Sequence, residues 1–196
     1  LNSIKGTNLI PFNLVTRRDI VDRNGELLAT NLRTASVYAN PKLIANPVHT
    51  SKKLKKIFPS LSFKKLLVKL KSQKSFVWIK RFITPIEHQQ LNDSGIPGIY
   101  FENGERRAYP HASLFSHVLG SVGLDSYGLS GIERAFDNKL RYKKSIINKE
   151  DPLKLSLDLK IQNIVKEELQ KAVKKFSARG GVGIVQDPNN GEILAM

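Results

Sequence analysis

Side chains able to do covalent or metal chemistry are few in this sequence. It contains no cysteine, which excludes thiolate nucleophiles, thiolate metal sites and disulfide staples. Its four histidines, His49, His88, His111 and His117, lie far apart, and no two have the i,i+4 spacing by which a helix presents a zinc-binding pair. Positive charge, by contrast, is abundant. The formal net charge is +15, and Lys52, Lys53, Lys55, Lys56, Lys64, Lys65, Lys69, Lys71, Lys74, Lys80 and Arg81 follow one another with no Asp or Glu between them. A second acid-free run holds Lys139, Arg141, Lys143, Lys144 and Lys149. Such fields attract polyanions: nucleic acid, anionic lipid headgroups or acidic wall polymers. A solvated lysine face is the plainer reading, since base readout favours arginine.

The elements that must position these residues follow from pattern. Ile20-Val21 and Leu27-Leu28 flank Asn24-Gly25, the strongest short hairpin signal, and a type I′ turn is expected there. Thr34–Ala39 reads as a further strand ended by Asn40-Pro41. Residues 41–95 read as a small helical insertion. Ser51 is expected to cap a helix through Phe58, and Ser62 a second one carrying Phe63, Leu66, Leu67 and Leu70. Phe76–Ile79 reads as a strand buried on both faces. Thr84-Pro85 with Glu87 starts a helix over Ile86–Leu91. Ile99–Phe101 is a short strand, and Ala112–Leu119 and Ile132–Leu140 have helical character.

A boundary is expected in 141–152, a basic stretch ending at Asp151-Pro152. Beyond it come a strand over Leu153–Leu157, an amphipathic helix over Ile161–Phe176 capped by Asp158, and a hairpin about Asp187–Gly191. The helix is expected to turn Ile164, Ala172 and Phe176 inward with its other apolar residues. With 196 residues, 40% of them hydrophobic, the chain suffices for one domain or one and a part. No apolar run reaches about 18 residues, so no bilayer-spanning segment is expected. Because the first residue is Leu1 and one hairpin under one helix is too little sheet to stand alone, the chain is expected to be a piece that stops inside a domain.

Four ordered motifs carry a resemblance. Arg18-Asp19-Ile20-Val21-Asp22-Arg23-Asn24-Gly25 continues to Ala29; Arg107-Ala108-Tyr109-Pro110 is followed by His117–Gly120; Gly128-Leu129-Ser130-Gly131-Ile132-Glu133 leads to Phe136-Asp137; and Leu155–Asp158 with Ile161-Gln162 precedes Asp187 and Gly191–Met196. In this order they resemble the class B penicillin-binding proteins, and the third motif looks more like the division-specific branch. Asp19 stands where that family usually has Gly.

The resemblance implies an α+β fold: antiparallel hairpins with a helical, Lys-rich insertion, followed by the start of a penicillin-binding transpeptidase domain. Residues 1–150 would be a non-catalytic pedestal or dimerisation domain, with its insertion at about 41–95, and 151–196 the truncated beginning of the transpeptidase domain. The parent would be a serine-type peptidoglycan D,D-transpeptidase of septal wall synthesis, without cofactor or metal. It would be anchored in the inner membrane by a segment absent from this chain and would face the periplasm. Other division or wall-synthesis membrane proteins, a second copy of the chain, and an anionic polymer or lipid at 52–81 are the implied partners. Peptidoglycan and β-lactams would be met only by the missing catalytic domain.

The family's acylated serine lies in a Ser-x-x-Lys motif completed by S-x-N and K-T-G. Here the sole Ser-x-x-Lys is Ser62-Phe63-Lys64-Lys65, inside the basic insertion and without the other two elements, so no catalytic residue is expected. What the motifs suggest instead is a polar knot. Arg18, Arg23, Arg106 and Arg107 are candidate donors, and Asp22, Glu105 and Glu133 candidate acceptors. Arg18 or Arg23 is the favoured partner of Glu133, and Gly25, Tyr109, Pro110 and Gly131 shape the turns. Surface charges of little worth are the alternative. Two rival functions stand beside this one: a basic nucleic-acid-binding protein, disfavoured because Phe76 and Trp78 read as strand core rather than stacking platforms, and a β-lactam sensor with related domains.

Overall fold

The computed structural model describes residues 15–143 and 151–196. It divides into two compact units, one running to Asn31 and resuming at Arg107, the other comprising Leu32–Arg106.

The chain enters the first unit through β1 (Val15–Arg17) and β2 (Ile20–Val21), then turns into β3 (Leu27–Ala39), a strand long enough to continue into the second unit. The turn differs from the expected type I′. Asp22 N–H donates to Glu26 O, Gly25 N–H to Asp22 O, and only Gly25 takes a positive φ, +91°. That is a three-residue loop ending in a left-handed glycine. Its cause is the Asp22 carboxylate, which accepts from the N–H groups of Asn24 and Glu26 at 2.7 and 2.8 Å and holds the chain in a local turn.

In the second unit β3 continues past a 3-10 turn to α1 (Pro47–Ile57), α2 (Phe63–Leu70), β4 (Val77–Ile83), α3 (Pro85–Asp93) and β5 (Ile99–Ala108). The first helix starts earlier than expected. Asn46 caps it by accepting from His49 N–H, with Pro47 at its first position, while Ser51 lies buried inside it and donates to Pro47 O. Asparagine followed by proline is the stronger start, because proline's missing N–H is an orphan there in any case. Thr84 and Glu87 form the complete capping box of α3. Antiparallel β4 pairs with β3, as does β5, and the helices cover one sheet face with a core of Val37, Leu54, Phe58, Leu70, Ile79 and Leu91. Phe76 lies outside the strand and exposed, so the expectation of burial on both faces is corrected: Ile79 and Ile83 face the core, while Phe76 and Trp78 face away.

Back in the first unit, a 3-10 turn leads into α4 (Ser116–Leu119), α5 (Gly131–Ala135), α6 (Asp137–Leu140) and β6 (Arg141–Lys143), which pairs antiparallel with β1. Residues 144–150 of the expected linker lie outside the described residues. Then β7 (Leu153–Lys154) pairs parallel with β2, and α7 (Leu159–Lys175) follows, capped by Asp158 through the N–H groups of Lys160 and Ile161. The short hairpin of β8 (Val185–Gln186) and β9 (Ile193–Ala195) ends the chain. Ile20, Leu28, Phe115, Leu119, Leu140 and Leu157 form this unit's core. Ile164, Ala172 and Phe176 of α7 are exposed, contrary to the expected inward face, while Val165, Leu169 and Val173 line the side of the helix next to Gly181 and Gly183. No helix among the described residues is long and apolar enough to cross a membrane.

Candidate functional site

Three of the first unit's four motifs, with Arg17 just ahead of the first, converge on one buried carboxylate. Glu133 is in the first turn of α5 and has 0% exposure. Two guanidinium groups meet it from opposite sides. Arg17, on β1, donates from Nε to Oε2 at 2.9 Å and from Nη2 to the Glu133 carbonyl at 2.8 Å. Arg107, near the end of β5, donates from Nε to Oε1 at 2.7 Å. Most of the remaining donors are matched, Arg107 Nη2 being the buried exception among the described residues. Arg17 Nη1 reaches the Asp137 carboxylate and Ser126 O, and Arg107 Nη1 reaches Arg18 O and the Asn31 side chain. Two cations facing two carboxylates keep the buried cluster near neutrality, the condition under which buried charge is tolerated.

Backbone close approach makes this packing possible. A Cβ added at Gly128 would lie 2.0 Å from Glu133 O, and one at Gly131 would lie 2.5 Å from Val118 O, with Gly131 also at φ +56°. Tyr109 donates to Glu133 Oε1 at 3.4 Å. Burial, then the negative charge of Glu133, pushes the Tyr109 hydroxyl up to about 12. For Asp137 burial pulls upward, yet the Arg17 and Gly128 hydrogen bonds and the Arg17 and Arg141 charges outweigh it and leave its pKa below the ordinary value. Pro110 is exposed and occupies the second position of the turn closed by Ala112 N–H to Tyr109 O at 3.0 Å.

The hairpin turn faces a different way. Asp22, also fully buried, accepts at Oδ2 from the Leu159 N–H at 3.1 Å, in the first turn of α7. Arg23 N–H donates to Leu157 O at 2.9 Å, Asn24 donates to the Asp158 carboxylate at 2.9 Å, and the Arg23 side chain stands 3.7 Å from Glu192. The Asn24 hydrogen bond is the main reason the Asp158 pKa falls below its usual value. The turn thus adds polar fastening to the segment that begins at residue 151, beside the β2–β7 pairing and the packing of Leu157.

The expected preference of Glu133 for Arg18 or Arg23 is therefore corrected in favour of Arg17 and Arg107. Arg18 contributes its backbone carbonyl to the knot and Arg23 belongs to the other contact set. Arg106 and Glu105 fall in the second unit. Sequence reasoning passed over Arg17, Asn31 and Asp137 as site residues. The Arg17-Arg18 doublet was the available signal, since neighbours on a strand point to opposite faces and one of the two must turn inward. Ser62 sits exposed at the start of α2 with no capping hydrogen bond from its side chain.

Comparison with known proteins agrees with this arrangement. The family model described as "Penicillin-binding Protein dimerisation domain" matches residues 13–151. The chain is 35% identical over 181 residues to the probable peptidoglycan D,D-transpeptidase FtsI of Caulobacter vibrioides, covering 92% of this chain and 30% of that protein. Among solved structures, the penicillin-binding protein PBP2 from Helicobacter pylori aligns with a TM-score of 0.65 and 26% identity over 94% of this chain and 42% of that one. The complex of PBP2 and MreC from the same organism aligns at 0.63, again with 26% identity, over 92% of this chain and 41% of that one. The chain spans about a third of the length of the curated relatives it matches.

Proposed function

The chain belongs to the penicillin-binding protein dimerisation-domain family, and on that footing we propose that it is the non-catalytic N-terminal part of a class B peptidoglycan D,D-transpeptidase of septal wall synthesis. In this reading residues 1–150 are the pedestal and 151–196 open the transpeptidase domain. The parent is anchored in the inner membrane, faces the periplasm, and is joined there by other division or wall-synthesis proteins. A relative solved with MreC supports the partner role.

The observation that carries the reading is the pair of contact sets just described. Glu133 ties β1 and the second motif to the third, and Asp22, Arg23 and Asn24 hold the start of α7 and the chain before it. A pedestal must transmit orientation to what it supports. Hydrogen bonds and bidentate guanidinium pairs do so because they are directional, which apolar contact is not.

The test is acylation. The longer polypeptide, with a Ser-x-x-Lys within a few tens of residues after Met196, is expected to bind fluorescent penicillin covalently. The 196-residue chain is expected to give no adduct by mass spectrometry. A drug adduct on Ser62, or a continuation lacking that motif, overturns the reading.

A further inference from the structure

The sheet of the second unit has a second face that the helices leave open. Val37 and Ala39 are buried against the helical side, so Tyr38 between them points the other way. Ile99 and Phe101 pack on the same core, which turns Tyr100 outward with Tyr38. The Tyr38 ring lies stacked between Phe76 at 4.8 Å and Tyr100 at 5.4 Å, and Trp78 meets Phe76 edge-on at 5.0 Å. Phe76 is 43% exposed and Tyr100 41%.

A bulge adds charge to this row. Tyr38 pairs with Trp78 but Val37 with Lys80, so Ile79 and Lys80 together oppose Val37 and both face the core side. Arg81 is thereby returned to the aromatic face, with its guanidinium 4.6 Å over the Trp78 ring. Lys69 donates to Trp78 O at 2.6 Å, and exposed Lys71 and Lys74 precede Phe76 in the chain.

We infer that this face docks an acidic segment of a partner protein, whose apolar side chains cover the Phe76–Tyr38–Tyr100 stack while its carboxylates meet Arg81, Lys69 and Lys74. An aromatic centre with a charged rim is the anatomy of a protein interface, and Tyr, Trp and Arg are the residues on which binding energy concentrates. Complementarity selects the occupant. The unit Leu32–Arg106 holds 14 Lys and Arg against four Asp and Glu, so a second copy would bring like charge to the same face. A polyanion without apolar groups would leave the rings wet. The inference rests on the chain being a protein-interaction module, yet acylation of the longer polypeptide is read separately, so the two can fail independently.

The experiment titrates the 196-residue chain with a labelled peptide carrying Phe and Leu between Glu residues, beside polyglutamate and phosphatidylglycerol vesicles. The mixed peptide is expected to bind about tenfold or more tightly than polyglutamate. Phe76→Ser with Tyr100→Ser is expected to erase that advantage, and added salt to weaken binding steeply. Arg81→Glu leaves the helical core untouched, so it tests the same face if the double variant fails to fold, and about a tenfold loss is expected. Equal binding of both peptides, preference for the vesicles, or self-association abolished by Arg81→Glu would each overturn the inference.

Discussion

Arg17 and Lys69 carry the same charge and do different work. In the first unit two arginines are inside: Arg17 and Arg107 have side chains 1% and 5% exposed, and both donate to the Glu133 carboxylate and to backbone carbonyls. In the second unit the cations are mostly lysines on the surface of α1 and α2, exposed and outnumbering the acids. Both regions are basic in composition. The buried charges define geometry, because removing one strands another in low dielectric. The surface charges define a field, which solvent and salt screen within about 8 Å at physiological ionic strength.

The sharpest way to break that contrast is to remove the shared carboxylate. Glu133→Ala takes the shared anion from two buried guanidinium groups, of which Arg17 keeps Asp137, and is expected to lower unfolding free energy by about 3–5 kcal/mol, measured by urea denaturation. Unchanged stability would reduce the knot to decoration. Next in size is Asp22→Ala, which leaves the N–H groups of Asn24, Glu26 and Leu159 without their acceptor. About 2–3 kcal/mol is expected, with hydrogen exchange accelerating at Leu159 more than in the second unit.

The pH dependence should separate the units next. Tyr109 is raised in the fold, to about 12 from an ordinary 10.0, so the folded state holds its proton longer and stability declines as pH climbs between those values. Tyr109→Phe should flatten that alkaline arm. On the acid side Asp137 is lowered; its contribution is complete above the ordinary carboxylate value and is lost as pH falls through the folded one. Urea midpoints across pH, with and without Asp137→Asn, check both signs. The smallest effect belongs to the lysine field. Lys64→Gln with Lys65→Gln, both exposed, should change stability by no more than about 0.5 kcal/mol, and salt should stabilise the unsubstituted protein slightly more than this variant.

Much of this was legible in the order of residues because its causes are local. The hairpin at Asn24-Gly25, the capping box of Thr84 and Glu87, the Asp158 cap and the turn before Gly191 each depend on residues within a few positions. The four motifs, read in order, point to the family, and Arg107, Tyr109 and Glu133 lie within them, although the sequence favours Arg18 or Arg23 over Arg107 as the partner of Glu133. Tertiary structure alone decided which arginines complete the knot and which face Arg81 takes. Arg17 meets Glu133 across 116 residues of sequence separation, a distance over which periodicity says nothing about partners. Arg81 reaches the aromatic row because one extra residue between Trp78 and Lys80 shifts the register, and in a strand a shift of one residue exchanges the two faces.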